Sequence, residues 1–430
     1  MRQHRVWFST VERDGRPQST LRSATWSRVT GFSSFPRMPT KTLRTGLVAA
    51  ALTVVTALAV STGTAAALAA PGGTAAGLAA TGGTAAAASA LPVAGLQAGI
   101  ADLVATGSAS AALARVQDGP ARWSGAAGVR DLASGRSADP AGYFRIGSVT
   151  KTFVATVVLQ LVDERRLALD DPIDRHLPGV VPDGQHITVR QILNHTSGLY
   201  DYAHEAGYST NRWRGAERFR TYQPRELLDV AFAHEPYFAP GAGWHYSNTN
   251  YIVAGLLIER LTGHGYGEEI ARRVLRPLRL TQTSVPGTNP RLPEPHTHGY
   301  VEVAGQGWVD ATEMNPSLDW AAGEMISTTA DLNRFFAALL GGRLTSPASL
   351  AAMKDTVETG TMFRYGLGLQ RFDLPCGTSV YGHGGELLGY LTYATRADSG
   401  RQFTLTYNPY QGKPSNDSLI SLFVTAYCPA

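Results

Sequence analysis

A serine and a lysine one helical turn apart have the types and spacing for nucleophilic chemistry. Ser148 precedes Lys151 by three positions at the start of an apolar stretch with helical periodicity, so both side chains lie on one helix face. The helix dipole favours an alkoxide on Ser148, and a desolvated lysine favours its neutral form, which can accept the serine proton. The alternative is a capping serine and a lysine that extends to solvent.

A second motif, Tyr-x-Asn, lies about a hundred residues further on. Tyr246 and Asn248 follow a Pro-Gly-Ala-Gly loop and precede an apolar helical stretch. The tyrosine can shuttle protons, and the asparagine can orient a substrate amide. Taken alone, the motif fits a loop tyrosine and an N-cap asparagine better than a catalytic pair.

A third motif, His383-Gly384-Gly385, lies on a predicted strand. Its glycines would let a substrate lie against the strand edge. The alternative is a turn at the end of a strand with a surface histidine.

The order Ser-x-x-Lys, Tyr-x-Asn, His-x-Gly resembles the penicillin-recognising serine hydrolases. The similarity is to the branch that contains class C β-lactamases and the Streptomyces-type secreted D-alanyl-D-alanine carboxypeptidase. It covers about residues 93–430, with supporting runs at 144–151, 187–202, 246–255 and 365–385.

The resemblance implies a role for each motif residue. Ser148 would be the acylated nucleophile, Lys151 would assist its deprotonation, and Tyr246 would shuttle the proton. An oxyanion hole would form from the backbone N–H groups of Ser148 and Glu386. The implied substrate-binding residues are Asn248, His383, Gly385, Glu386 and, with a packing role as its alternative, Trp320. The resemblance implies no metal or organic cofactor.

One strand departs from the family pattern. The carboxypeptidase has His-Thr-Gly-Thr and an upstream arginine, which receive the terminal carboxylate of the substrate. This chain has glycine at 384, glutamate at 386 and Gln370 at the arginine position. Acyl-transfer chemistry is unaffected, because the nucleophile, shuttle and backbone donors remain.

These residues predict a secreted serine hydrolase that works through an acyl-enzyme. The first prediction is a D-alanyl-D-alanine carboxypeptidase or transpeptidase-like enzyme that binds penicillin. An esterase, an amidase, a D-amino-acid peptidase or a class C-type β-lactamase is the alternative. The expected partners are a peptidoglycan-type peptide or a small ester or amide, with β-lactams as inhibitors. A non-catalytic cell-wall-binding or penicillin-sensing module is the alternative from another class.

The pattern of elements predicts an α/β fold of the α+β type. A mainly antiparallel sheet would be flanked by helices, in one domain over residues 92–430. Two segments, 92–169 and 346–430, would form the α/β part, and 170–345 a mostly helical insertion. Predicted helices cover 93–107, 148–166, 188–194, 225–233, 248–261, 266–275, 330–340 and 414–427. Predicted strands cover 111–117, 122–129, 365–372, 379–383, 387–395 and 402–407.

The charge distribution indicates export rather than an anionic partner. The chain of 430 residues has a net charge of +4, but residues 1–70 hold nine basic and two acidic residues. The remaining 29 basic and 32 acidic residues give no reason to expect nucleic-acid binding. Residues 38–70 have the pattern of a signal peptide, with Met38 as a candidate start, and 71–91 read as an Ala/Gly-rich linker. A signal anchor is the alternative. We expect a monomer with no stable membrane span after signal cleavage.

Cys376 and Cys428 are the only cysteines. In an exported chain this even count predicts one disulfide, with two free thiols as the alternative. Two rival hydrolase classes have little support: the Gly-x-Ser-x-Gly of an α/β-hydrolase is missing, and His296-Thr297-His298 is the only His-x-His pair for a zinc site.

Overall fold

The computed structural model describes residues 91–412 and 414–428. The predicted leader, the signal peptide and nearly all of the predicted linker lie outside these residues. Within them, no helix is both long and apolar enough to cross a membrane.

Eleven helices and twelve strands follow one another along the described chain. The helices are α1 Val93–Ala105, α2 Thr150–Asp163, α3 Ile173–His176, α4 Val189–Leu193, α5 Pro224–Phe232, α6 Asn248–Thr262, α7 Tyr266–Ile270, α8 Arg276–Leu278, α9 Thr329–Leu340, α10 Pro347–Lys354 and α11 Asn416–Tyr427. The strands are β1 Ala109–Asp118, β2 Ala121–Gly128, β3 Phe144–Arg145, β4 Tyr300–Val303, β5 Gly307–Asp310, β6 Ile326–Ser327, β7 Val357–Glu358, β8 Arg364–Tyr365, β9 Gln370–Asp373, β10 Ser379–Leu387, β11 Tyr390–Ala397 and β12 Gln402–Pro409.

Eight of these strands form one antiparallel sheet in the order β2-β1-β12-β11-β10-β9-β8-β7. β1 lies between β2 and β12, so the first strands of the domain complete a sheet whose other members come last in the chain. The helices α2 to α10 fall between β2 and β7 in sequence. This arrangement confirms the predicted fold class.

The sheet separates two apolar cores. Successive residues of a strand point to opposite faces of its sheet. Along β1, Ala112, Ala114 and Val116 therefore share one face, where they pack with α1 and α11. The larger core lies among α2, α6 and α9 and reaches the sheet at Tyr390 and Ala394.

The central helix, α2, is nearly surrounded by protein. Eleven of its fourteen residues are buried, which agrees with an apolar pattern too broad for a surface helix. A 3₁₀ turn, Gly147–Val149, precedes it. The predicted helix therefore begins as 3₁₀ at Ser148 and becomes α-helical at Thr150.

The predicted strand over 365–372 is wrong. The structure has two short strands there, β8 and β9, separated by a turn at 366–369. Gly368 lies in the turn with φ of +68°, and its N–H donates to Leu193 O at 3.1 Å. Its carbonyl accepts from Thr152 Oγ1 at 2.7 Å. The turn is thus fastened to α2 and α4, and a continuous strand would lose both contacts.

The last helix is tied to the sheet covalently. Cys428, which follows α11, forms a disulfide with Cys376 in the turn between β9 and β10. No other cysteine exists in the chain. The bond closes a loop of 52 residues, and the chain-entropy model gives such a loop up to about 4 kcal/mol of stabilisation.

Replacement of Gly368 by alanine should destabilise the domain more than the same change at Gly179. Both glycines have φ of +68°, so both variants incur about 1 kcal/mol of backbone strain. A Cβ at 368 would lie 2.5 Å from Ala155 Cβ and 2.7 Å from Tyr251 Oη, whereas a Cβ at 179 would meet nothing within 4 Å. Overpacking adds about 1–3 kcal/mol. Urea unfolding should give a larger loss for Gly368→Ala than for Gly179→Ala, and equal losses would contradict the packing described here.

Candidate active site

The Ser148 side chain is presented by a turn that rests against the edge of the sheet. Gly147, just before it, has φ of +50°. A Cβ on Gly147 would lie 2.8 Å from both the N and O atoms of Glu386, so only glycine allows this approach. Ser148 is half-buried at the N-terminal end of α2 and lines a cleft of about 450 Å³, called the catalytic cleft below.

The Lys151 ammonium group is fully buried one turn further along. Its Nζ lies 3.0 Å from Ser148 Oγ, 2.7 Å from Asn248 Oδ1 and 2.7 Å from the carbonyl oxygen of Ala322. These partners come from the 3₁₀ turn Gly147–Val149 that precedes α2, from α6 and from the 3₁₀ turn Trp320–Ala322. Three separate segments of the chain therefore fix the position of one nitrogen.

The partners of Lys151 also determine what it can do when neutral. Burial lowers the pKa of Lys151 to about 7, although Asp201 and Asp319 oppose the shift. A neutral amine has two N–H bonds and one lone pair. Asn248 Oδ1 and the Ala322 carbonyl can only accept, so they take the two N–H bonds. The lone pair is left for the Ser148 hydroxyl, and Lys151 is therefore placed to act as its base.

The Tyr246 side chain lies over the same lysine. Its ring centroid is 4.9 Å from Lys151 Nζ. Burial raises the pKa of Tyr246, and the neighbouring Ser148 hydroxyl opposes that shift. Its hydroxyl makes no hydrogen bond of good geometry with another described residue. A protonated phenol that faces the cleft with its hydroxyl available can donate a proton to a leaving group.

His195 supports this arrangement from behind. Its ring centroid lies 4.3 Å from that of Tyr246. Its Nδ1 accepts from Ser247 N and Asn250 Nδ2, each at 3.2 Å. Burial, with positive charge on Lys151 nearby, lowers the pKa of His195 well below its usual value. A neutral histidine packed beneath the tyrosine therefore supports the position of Tyr246.

The amide of Asn248 is held at both ends by protein. Its Oδ1 accepts from Lys151 and its Nδ2 donates to Asp201 Oδ2 at 3.1 Å. It lines the catalytic cleft, but its hydrogen bonds orient Lys151. Contact with a substrate amide stays a prediction.

The second half of strand β10 forms an open edge of the cleft. Pairing with β9 covers only Ser379 to Gly382. A Cβ on Gly385 would lie 2.0 Å from Ile146 O and 3.0 Å from Ser148 N, so glycine is required where the strand meets the nucleophile turn. This contact places the backbone of Glu386 beside that of Ser148. The pair of N–H groups predicted as the oxyanion hole is therefore adjacent.

His383 is fully buried on this strand rather than exposed. Its Nδ1–H donates to the carbonyl of Gly384, and its Nε2 lies 2.8 Å from the Tyr365 hydroxyl, from which it accepts. Burial lowers the pKa of His383 to about 3. The neutral ring lines the cleft, yet both of its nitrogens are used by protein groups.

Gln370, which stands at the sequence position of the carboxypeptidase arginine, contacts the backbone of β10. Its Oε1 accepts from the N–H of Gly384 at 2.7 Å, and its side chain is buried. It satisfies a backbone donor on the open edge of β10 and brings no positive charge.

Trp320 is away from the other predicted site residues. Its ring packs edge-on against Tyr266, with centroids 4.7 Å apart, and covers Gly255, where a Cβ would lie 2.6 Å from the indole. It is not among the residues that line the catalytic cleft. Its neighbour Asp319 lines the cleft instead.

Two carboxylates in the cleft were missed by sequence reasoning. Asp201 and Asp319 line it beside Asn248, and burial raises the pKa of both, that of Asp319 to about 7. Asp201 accepts from Asn248 Nδ2 and from the backbone N–H of Ala203, at 3.1 Å each. Asp319 Oδ2 is buried with no hydrogen-bond partner among the described residues. The sequence provides only a weak signal for them, because each is a single acidic residue and neither belongs to the three motifs.

The His-x-His pair does not form a metal centre. The rings of His296 and His298 stack with centroids 5.1 Å apart, and His298 Nδ1 lies 2.6 Å from Asp310 Oδ2. Over residues 91–412 and 414–428, no three His, Cys, Asp or Glu side chains are grouped so that they could hold a metal ion.

The fold is that of a serine hydrolase, and the Ser148–Lys151 geometry is compatible with a lysine that acts as the base. The chain belongs to the beta-lactamase family, whose model matches residues 96–412. This membership confirms the resemblance drawn from the three motifs.

Solved structures and curated relatives narrow the comparison. A D-stereospecific amidohydrolase from Streptomyces sp. is 39% identical with a TM-score of 0.72, over 78% of this chain and 98% of its own. The D-amino acid amidase from Ochrobactrum anthropi SV3 is 28% identical with a TM-score of 0.69, over 78% and 98%. Penicillin-binding protein 4* of Bacillus subtilis is 30% identical over 61% of this chain. The chain spans about 60% of the length of that relative.

The rate of acylation should rise with pH through the pKa of Lys151. With a neutral ester such as p-nitrophenyl acetate, kcat/KM should increase about tenfold per pH unit below pH 7 and level off above it, because the neutral amine is the base. Asp319 lies beside Lys151 and opposes the lowering of its pKa. Asp319→Asn should therefore move the midpoint to lower pH.

The matched control removes a remote charge. Asp398 is exposed and pairs with Lys354, so Asp398→Asn should leave the midpoint in place. A profile that falls as pH rises, or a midpoint that Asp319→Asn moves upward, would contradict the base assignment.

Proposed function

We propose that the protein is an amidohydrolase that acts on amides or short peptides of D-amino acids with a free α-amino group. The observation that carries this proposal is Asp319, a buried residue that lines the same cleft as Ser148 and whose Oδ2 has no hydrogen-bond partner among the described residues. It selects the amidase and D-amino-acid peptidase alternative over the carboxypeptidase that the sequence favoured first.

An ammonium group is the ligand that suits this part of the cleft. Asp319 is buried, and burial raises its pKa, so its ionised form is costly without a cation. Asp201 lies on the same side, next to Asn248. The positive groups that act on Asp319 are Arg214, Lys151 and Arg145, and they only partly offset burial. A substrate α-ammonium would complete the pairing and favour the ionised carboxylate.

The proposed reaction proceeds through an ester of Ser148. Neutral Lys151 takes the hydroxyl proton while Oγ attacks the amide carbonyl, and the N–H groups of Ser148 and Glu386 stabilise the oxyanion. The C–N bond then breaks as Tyr246 protonates the departing nitrogen and regains a proton from Lys151. A water molecule enters and attacks the ester while it gives a proton to the same groups. The bond between the carbonyl carbon and Ser148 Oγ then breaks, Oγ takes that proton back, and the acid leaves. A β-lactam would form the corresponding ester from its ring carbonyl.

The leaving-group side of the cleft argues against a carboxypeptidase. A terminal carboxylate needs a cation or hydroxyl donors. Gln370 brings no positive charge and no hydroxyl, and its Oε1 already accepts a hydrogen bond from Gly384 N. Phe372 and Tyr393 also line this side. Glu386 adds a negative charge. The family neighbours agree in kind, because two of them are described as a D-stereospecific amidohydrolase and a D-amino acid amidase.

Hydrolysis of D-phenylalanine amide should depend on Asp319 through the amino group of the substrate. Loss of a charge-assisted hydrogen bond costs about 1.5–3 kcal/mol, so Asp319→Asn should lower kcat/KM for this amide about 10- to 100-fold. N-Acetyl-D-phenylalanine amide, which has no ammonium, is the control and should change less than threefold. An equal loss on both substrates would mean that Asp319 acts only on Lys151.

Stereochemistry and peptide chemistry give a second test of the same proposal. D-Phenylalanine amide should be hydrolysed faster than its L-enantiomer, and release of D-alanine from an acyl-D-Ala-D-Ala peptide should be slow. A fluorescent penicillin should label the native protein at Ser148, and Ser148→Ala should abolish the label and the amidase activity together. Efficient D-alanine release with no cleavage of the amide would overturn the amidohydrolase proposal.

A further inference from the structure

An apolar groove adjoins the catalytic cleft on the side of the sheet. The groove has a volume of about 180 Å³. Met362, Phe372 and Tyr393 line both the groove and the cleft. Its far end is formed by residues of the β9–β10 turn and of α11, namely Leu374, Leu419, Ile420 and Phe423. The cleft and the groove therefore adjoin each other and share part of their walls.

Exposed apolar side chains mark this groove. Met362 is 59% exposed and Ile420 is 38% exposed, and they are two of the five large apolar residues that are exposed among those described. Contiguous exposed apolar surface on a folded protein usually serves binding. Since this surface adjoins the cleft that Ser148 lines, a part of the substrate is the occupant that its position favours.

Gly384 leaves a gap between Tyr393 and Gln370 at the place where the cleft adjoins the groove, called the passage below. A Cβ at this position would lie 3.2 Å from Tyr393 Cε1 and 3.4 Å from Gln370 Oε1. Any side chain there would fill the gap between those two residues. The same glycine that removes a hydroxyl donor from the strand thus gives access to apolar surface.

The groove and the carboxylates belong to different parts of the fold. Lys151 connects Ser148 to Asn248, and Asn248 connects to Asp201, all among the helices. The groove is lined by residues of β9, β11 and α11, and the strand between β9 and β11, β10, meets the turn of Ser148 at Gly385. If the amino group of the acyl residue is held at the carboxylates, which is the function proposed above, the leaving group must extend toward the sheet.

We propose that this groove is a binding subsite for an apolar side chain or alkyl group on the leaving group of the substrate. The protein would then prefer D-aminoacyl substrates whose departing amine is apolar over primary amides that release ammonia. The proposal adds a second specificity to the function proposed above and rests on it for the orientation of the substrate.

The test compares leaving groups of matched basicity on one acyl residue. The methyl-, n-butyl- and n-hexylamides of D-phenylalanine release amines of similar pKa, so differences in kcat/KM report binding of the alkyl chain. Burial of one methylene gives up to about a fourfold gain. The butylamide should exceed the methylamide by about tenfold or more.

The variant that isolates the groove is Ile420→Glu. Ile420 lines the groove and not the catalytic cleft, so hydrolysis of D-phenylalanine amide and of the methylamide should be unchanged. The butyl-to-methyl ratio should fall below threefold. Leu132→Glu is the matched control, because Leu132 is also 38% exposed and lies in neither space. Gly384→Ala should lower the ratio as well, by narrowing the passage.

Two outcomes would overturn the subsite. One is hydrolysis of D-phenylalanine amide with no dependence on alkyl length; the other is a butyl-to-methyl ratio that Ile420→Glu leaves intact. If D-phenylalanine amide is not cleaved, the failure belongs to the proposed function. Acetate esters of methanol, butanol and hexanol then carry the same alkyl groups into the leaving-group side, and their kcat/KM ratios decide on the groove independently.

Discussion

The site depends on the burial of one amine among fixed acceptors. Lys151 Nζ is enclosed by groups from three segments, and two of them can only accept hydrogen bonds. Burial favours the neutral amine, and the acceptors dictate where its lone pair points. The nearly complete enclosure of α2 in the larger core is what keeps water away from this nitrogen. The apolar interior of the domain therefore also sets the basicity of Lys151.

Two chemically different walls face each other across Ser148. The helical wall holds Asp201 and Asp319, whereas the wall on the sheet holds backbone groups, Gln370 and aromatic rings. The glycine at position 384 of β10 brings no hydroxyl to the cleft and leaves the ring of Tyr393 uncovered. Its backbone N–H donates to Gln370 Oε1. Specificity in this framework can change at the sheet without altering the atoms that transfer the acyl group.

The sequence was most informative where chemistry depends on local spacing. Ser148 and Lys151 are three residues apart on one helix, so their proximity follows from helix geometry alone. The antiparallel sheet was predictable because its late strands are joined by short turns. The break in the strand over 365–372 had a signal in Gly366 and Gly368, but the contacts of Gly368 with α2 and α4 arise only in the folded chain.

Burial was the property that the sequence could not supply. As a residue type, His383 is compatible with an exposed side chain that binds substrate. In the fold it is buried and hydrogen-bonded to the Tyr365 hydroxyl. Trp320 is conspicuous in the sequence as an aromatic residue, whereas the adjacent Asp319 is distinguished only by its burial beside the cleft and by an oxygen without a hydrogen-bond partner among the described residues. The apolar groove combines β9, β11 and α11, which are distant in sequence. Such features depend on tertiary contacts between residues with no common motif.

The pairing of β1 with β12 has a consequence for when the site can exist. β12 is the last strand of the domain, and it joins the strands from the beginning of the domain to β11 and β10. The edge of β10 that faces Ser148 therefore belongs to a sheet that is complete only after nearly the whole domain has been synthesised. During synthesis on the ribosome, the chain contains Ser148 and Lys151 long before it contains the strand β10 that lies beside them. Catalytic competence would then arise late and all at once, together with the non-local contacts that make such folds slow to form.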